Sequence, residues 1–89
     1  MADEYSDGQK DYKSLEFLEF IIKAMVDHPD DVNITEVDGD HTVIYELKVN
    51  QEDMGKVIGR RGQNARAIRT LLSAASGKRR KRSILEIIE

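Results

Sequence analysis

Apolar residues in the N-terminal third of the chain recur at three- and four-residue steps, the spacing of one face of an α-helix. This stripe predicts a first helix over residues 14–28, capped by Ser14 and stopped by Pro29, which has no N–H for the helical ladder. Its members are Leu15, Phe17, Leu18, Ile21, Ile22, Met25 and Val26. Residues 1–13 are acidic and lack the period, so we expect a disordered tail there.

The next two apolar segments have the character of strands. Residues 32–37 are rich in β-branched side chains, and residues 38–40 read Asp-Gly-Asp, which is a tight-turn signal. Residues 42–49 then alternate, and one face of that segment carries Val43, Tyr45, Leu47 and Val49. The pattern predicts an antiparallel hairpin with one face against the core.

The second half of the chain predicts two helices and a last strand. Asn50 suits the N-cap of a short helix over residues 51–58, and Asp53 would return a capping-box bond. A further helix over residues 63–76 precedes a strand over residues 83–88. The apolar stripe of that helix is Ala67, Ile68, Leu71, Leu72 and Ala75, and Gly77 follows its end.

The element order is therefore helix-strand-strand-helix-helix-strand, in one α+β domain over residues 14–89. Two helices between strands make a crossover, which lets the second and third strands lie parallel. We expect a three-stranded mixed sheet covered on one face by three helices. The chain has no cysteine, and no apolar run approaches the roughly 18 residues of a membrane span. These features predict a cytoplasmic domain without a membrane segment or a disulfide framework.

The net charge of −3 conceals two halves of opposite sign. Residues 1–53 hold 4 Lys and Arg against 15 Asp and Glu, whereas residues 54–89 hold 10 against 2. Because binding depends on the local potential rather than the total charge, the basic half predicts a polyanionic partner.

The segment that carries the chemistry is the turn between the two later helices. Gly59 and Gly62 allow main-chain torsions that a Cβ resists, and they let a phosphate approach closely. The turn lies at the start of a helix, where N–H groups and the dipole attract anions. Arg60 and Arg61 add guanidinium groups that match phosphate oxygens. The turn therefore predicts a clamp for a sugar–phosphate chain.

Residues 57–62, Val-Ile-Gly-Arg-Arg-Gly, resemble the hallmark Val-Ile-Gly-x-x-Gly of the K-homology (KH) family. The preceding helix and hairpin resemble its type II, prokaryotic arrangement. Residues 53–59 and 69–75 further resemble small bacterial single-KH proteins of the KhpA family, a likeness that covers the chain beyond its tail. The resemblance implies a loop that clamps about four nucleotides of single-stranded RNA. It also implies a groove with an aliphatic floor, which Ile58 would match.

The resemblance implies an RNA chaperone or post-transcriptional regulator. It would act with a KhpB-type KH partner and influence cell length, cell shape and peptidoglycan homeostasis. No aromatic residue follows Tyr45, so base stacking is missing and one copy should bind weakly. A homodimer or a heterocomplex is therefore expected. The predicted RNA-binding residues are Lys56, Ile58, Gly59, Arg60, Arg61, Gly62, Asn64, Arg66, Arg69, Lys78, Arg79 and Arg80.

Several alternatives stay open. Ile58 suits the core, the groove floor or a self-association contact, and Arg66 and Arg69 also suit a solvated helix face. The basic run over residues 78–82 suits a flexible loop as well as a second phosphate contact. No ligand spacing predicts a metal or cofactor site, and no nucleophile–base pair predicts an enzyme. The competing functions are a protein-interaction module that keeps the fold without strong RNA affinity, and helix-turn-helix recognition of duplex DNA. The four-residue loop and the short helix over residues 51–58 disfavour the second.

Overall fold

The computed structural model describes residues 12–75 and 81–89 of the chain. The elements follow the predicted order: α1 (Tyr12–Met25), β1 (Asn33–Asp38), β2 (Thr42–Lys48), α2 (Met54–Ile58), α3 (Gln63–Ala75) and β3 (Arg82–Ile87). Single 3-10 turns lie at Pro29–Asp31, Gln51–Asp53 and Arg60–Gly62. The α+β class and the order of helices and strands are confirmed.

The sheet has the order β1-β2-β3. Strand β1 pairs antiparallel with β2, and β2 pairs parallel with β3, so the mixed sheet and the crossover are confirmed. The register aligns Val37, Ile44 and Ile84 in one row across the three strands. Because side chains alternate along a strand, this row lies on the outer face of the sheet, which the helices do not cover.

The core lies between the helices and the other face of the sheet. The predicted inward residues of β2 are all buried, and Tyr45 and Leu47 are almost completely so. They belong to one core cluster to which all three helices and β3 contribute, and whose other members are Leu18, Ile22, Val26, Val43, Val49, Val57, Ile68, Leu72 and Leu85. This packing sets α3 against both α2 and β3 and so positions the segment between the two helices.

The first helix differs from its prediction at both ends. Helix α1 begins at Tyr12, so Ser14 lies inside it and is buried rather than capping it. It ends at Met25, and beyond its end the main-chain N–H groups of Asp27 and His28 donate to the Asp53 carboxylate. Pro29 accordingly starts a separate 3-10 turn instead of stopping the helix.

The buried stripe of α3 is Ala65, Ile68 and Leu72. The prediction was right for Ile68 and Leu72, but Ala67 and Ala75 are exposed and Leu71 is 47% exposed. Alanine carries little hydrophobic signal, so the periodicity alone did not place the edge of the stripe. Of the predicted tail over residues 1–13, residues 1–11 lie outside the described residues and residues 12 and 13 belong to α1; the cap at Gly77 also lies outside the described residues.

Candidate nucleic-acid interface

The turn between α2 and α3, residues 59–62, has positive φ angles at three of its four positions. They are 78° at Gly59, 56° at Arg61 and 75° at Gly62. The N–H of Gly59 donates to the carbonyl of Gly55 at 2.8 Å and closes α2, and the N–H of Gly62 donates back to the Gly59 carbonyl at 3.1 Å. The backbone thus folds tightly on itself and leaves the Arg60 and Arg61 side chains exposed at the start of α3.

Asn64 explains why Gly59 has to be a glycine. A Cβ on Gly59 would lie 2.6–2.8 Å from the Cγ, Cβ and main-chain N of Asn64. The Asn64 amide donates to the carbonyl of Lys56 at 2.8 Å, so it ties the first turn of α3 to α2. The structure therefore gives Asn64, predicted as an RNA contact, a visible part in shaping the turn.

Two arginines of α3 are held by main-chain carbonyls, one in the turn and one in β3. Nη1 of Arg66 donates to the carbonyl of Arg61 at 2.9 Å. Nε and Nη2 of Arg69 approach the Leu85 carbonyl of β3 at 3.4 and 3.3 Å. Both guanidinium groups keep further N–H donors, because each has five in all. The two side chains are therefore oriented rather than freely solvated.

An open groove of about 530 Å³ runs between this helical segment and β3. Its floor and walls are aliphatic, and Arg66 and Arg69 stand on one side. The lining residues are Ile44, Ile58, Gly62, Ala65, Arg66, Arg69, Ile84, Leu85, Glu86, Ile87 and Glu89. Ile58 lines the groove and is absent from the buried core. Of its three predicted roles, the structure therefore rules out the one in the core. The groove is thus cationic at the α3 wall and apolar at its base.

Asp53 fastens the base of α2 to the end of α1. Its side chain is fully buried and accepts the N–H groups of Asp27 and His28, each at 3.0 Å. Asn50 caps the turn as predicted, by accepting the Glu52 N–H at 2.8 Å. The predicted capping-box role of Asp53 was wrong, because its carboxylate accepts the N–H groups of Asp27 and His28, which follow the end of α1.

The charges around this joint move three pKa values. Burial opposes ionisation of Asp53, but the N–H groups of Asp27 and His28 and the Lys56 ammonium outweigh it and lower the pKa of Asp53. The Lys56 ammonium lies 2.6 Å from the carboxylate of Asp27 and 3.5 Å from that of Asp53, and these contacts raise the pKa of Lys56. A hydrogen bond to Glu52 at 2.9 Å raises the pKa of His28.

The structure therefore sorts the predicted site residues into three groups. The turn and the groove bring together Ile58, Gly59, Arg60, Arg61, Gly62, Arg66 and Arg69. Lys56 and Asn64 are not among the groove-lining residues; the Lys56 ammonium bonds Asp27, and the Asn64 amide bonds the Lys56 carbonyl. Lys78, Arg79 and Arg80 lie outside the described residues.

The prediction missed the wall that β3 contributes, above all Ile84 and Glu86, and also Ile44 from β2. No local sequence signal marks these residues, because only the parallel pairing of β2 and β3 brings them to the groove. Within the described ranges, 12–75 and 81–89, no cluster of side chains suits a metal ion. None of the helices in those ranges is long and apolar enough to cross a membrane.

A mixed three-stranded sheet with three helices on one face and a Gly-x-x-Gly turn between α2 and α3 defines a type II KH domain. The family model described as KhpA/KhpB, KH domain, matches residues 15–87. The chain therefore belongs to the KhpA/KhpB family of KH domains.

Curated relatives agree with this assignment. The RNA-binding protein KhpA of Borreliella burgdorferi is 48% identical over 81 residues, which cover 90% of this chain and 99% of the relative. Proteins of the same name from Clostridium acetobutylicum and Caldanaerobacter subterraneus are 53% and 55% identical over 73 residues, covering 82% of this chain and 97% of each relative. No solved structure gives a significant match.

Proposed function

We propose that this chain is a non-catalytic protein that binds single-stranded RNA by clamping the sugar–phosphate backbone on residues 59–62. The observation that carries the proposal is the left-handed turn at the start of α3, where two glycines bare the main chain beside Arg60 and Arg61. The bases would then lie over the aliphatic floor of the groove. The names of the relatives, which are RNA-binding proteins, support the same function.

We further propose that the protein acts on transcripts in a bacterial cytoplasm as an RNA chaperone or post-transcriptional regulator, with effects on cell length and peptidoglycan homeostasis. The groove-lining residues include no aromatic side chain, so a single copy lacks a stacking contribution of about 1–3 kcal/mol per base. A second copy or a KhpB-type KH protein would raise the effective concentration of RNA sites. The shared KhpA/KhpB family supports such a partner.

The clamp is tested by replacing Arg60 and Arg61 together with Asp. The matched control replaces Lys23 and Lys48 with Asp as well. Both are exposed residues, of α1 and β2, so the control changes the net charge by the same amount. Anisotropy titrations with a single-stranded RNA should show a large loss of affinity for the loop variant alone. For the wild type, about three neutralised phosphates give a log–log salt slope near −2. Equal affinities of the loop variant and wild type would refute the clamp.

A second candidate function, a protein-interaction module, is favoured by apolar side chains away from the groove. Phe20 on α1 is 74% exposed, and Phe17 on α1 and Leu71 on α3 are 37% and 47% exposed. Helices α1 and α3 pack together, so these residues lie on the outer side of the helical layer. We propose that a second copy of this chain binds this surface. A single groove without base stacking binds RNA weakly, and a second linked groove would raise the overall affinity for RNA.

Sedimentation of wild type and a Phe20→Ser variant separates the two functions. The interaction module requires self-association without RNA that the Phe20 change weakens and that survives the Asp changes at Arg60 and Arg61. A monomeric wild type at the concentrations of the titration would rule out a second copy on this surface.

A further inference from the structure

The groove has opposite charges on its two walls. Arg66 and Arg69 stand on the α3 wall, whereas Glu86 of β3 and the terminal residue Glu89 stand on the other. Phosphate binding alone gives no reason for carboxylates here, because a carboxylate repels a phosphodiester. A strand held on residues 59–62 therefore turns its bases, not its phosphates, toward β3.

Glu86 and Arg69 present complementary hydrogen-bonding groups from the two walls of the groove. The Arg69 guanidinium is held on the carbonyl of Leu85, the residue directly before Glu86. An ionised carboxylate only accepts hydrogen bonds and a guanidinium only donates them. The pair therefore suits a base edge that carries one donor group beside acceptors.

We propose that Glu86 is a specificity-determining residue that reads an exocyclic amino group of the bound base, and so favours cytosine over uracil. The inference rests on the proposed RNA-binding function and adds a base preference to it. Cytosine offers its N4 amino donor beside ring acceptors, which match Glu86 and Arg69 respectively. Uracil carries an oxygen at the same position, and that oxygen faces the Glu86 carboxylate with no proton to share.

The sheet supplies a matched control for this residue. Glu46 of β2 is aligned with Glu86 in the parallel register, so it carries the same charge on the same outer face of the sheet. Glu46 does not line the groove. Changing either glutamate to Gln removes one negative charge and raises RNA affinity in general, but only Glu86→Gln should alter the preference between bases.

The experiment compares the oligoribonucleotides C8 and U8, titrated with wild type, Glu86→Gln, Glu46→Gln and Glu89→Gln. We expect wild type and Glu46→Gln to prefer C8 by about tenfold, the size of one good base contact. Glu86→Gln should reduce the ratio to about twofold, because an amide both donates and accepts.

Equal binding of C8 and U8 by the wild type would overturn the proposal, as would an unchanged ratio in Glu86→Gln or a ratio lost only in Glu89→Gln. Failure of the proposed function gives a different result. In that case neither oligonucleotide binds in a manner that depends on Arg60 and Arg61. If both bind through those arginines with equal affinity, the clamp stands and only the base preference is refuted.

Discussion

Three glycines of the chain make a graded test of the turn at residues 59–62, because each would place a methyl group in a different environment. At Gly59 the backbone has φ 78° and ψ 173°, a region almost restricted to glycine, and an added Cβ meets Asn64 at 2.6–2.8 Å. At Gly62 φ is 75°, but the nearest atom is Nη1 at the far end of the Arg66 side chain, at the ordinary contact distance of 3.4 Å. At Gly55, inside α2, nothing lies within 4 Å.

These differences set the expected changes in the free energy of unfolding. Gly59→Ala combines backbone strain of about 1–3 kcal/mol with the loss of the Asn64 hydrogen bond to Lys56, about 0.5–1.5 kcal/mol. We therefore expect a destabilisation of about 3 kcal/mol. Gly62→Ala should cost only the left-handed strain of about 1–2 kcal/mol. Gly55→Ala should stabilise the protein by about 0.5–1 kcal/mol, since alanine favours a helix.

Urea unfolding of the three variants measures this ranking. A chain of 89 residues has a total stability on the order of 4–13 kcal/mol, so Gly59→Ala should remain measurable although weakened. An anisotropy titration of Gly62→Ala adds a second reading, because its methyl group should hinder a phosphate while most molecules stay folded. Equal costs at Gly59 and Gly62, or a destabilised Gly55→Ala, would refute the account of the turn.

Three further predictions follow from burial and charge. Leu72→Ala should cost about 2–5 kcal/mol in urea unfolding and Leu71→Ala under about 1 kcal/mol, since only Leu72 is buried; similar costs would contradict the packing of α3. The lowered pKa of Asp53 means that its stabilisation is present above the unfolded value near 3.8 and lost as pH falls through the folded pKa. Asp53→Asn should therefore make the loss of unfolding free energy at acid pH less steep. An unchanged slope would mean that other groups cause the acid destabilisation. Lys56→Met should lower stability yet keep the RNA salt slope, whereas Arg60→Met should make the slope shallower; a slope change in Lys56→Met would place that ammonium on a phosphate.

The buried carboxylate of Asp53 connects the fold to the proposed clamp. It bonds two N–H groups beyond the end of α1 and lies one residue before α2, which ends at Gly59. The orientation of the turn is therefore coupled to the segment after α1 through a buried charge that lies outside the turn and the groove. Lys56 reinforces the joint from the solvent side through Asp27.

The sequence alone determined the features that depend on neighbouring residues. The alternation through β2 identified its buried face, and the glycine spacing identified the turn, because backbone torsions and strand periodicity are local properties. The order of helices and strands places two helices between the second and third strands. Such a crossover connection predicts that these strands are parallel, and hence a mixed sheet.

Only the tertiary structure decided the contacts between segments far apart in the chain. Asp53 was expected to cap its own turn, yet the segment after α1 presents two N–H groups 25 and 26 residues away that local pattern cannot reveal. Glu86 joins the groove because β3 pairs in parallel with β2, and Arg69 is fixed by a carbonyl 16 residues later. Such contacts arise when packing brings surfaces together, and the physical reason is that burial and hydrogen bonding act through space rather than along the chain.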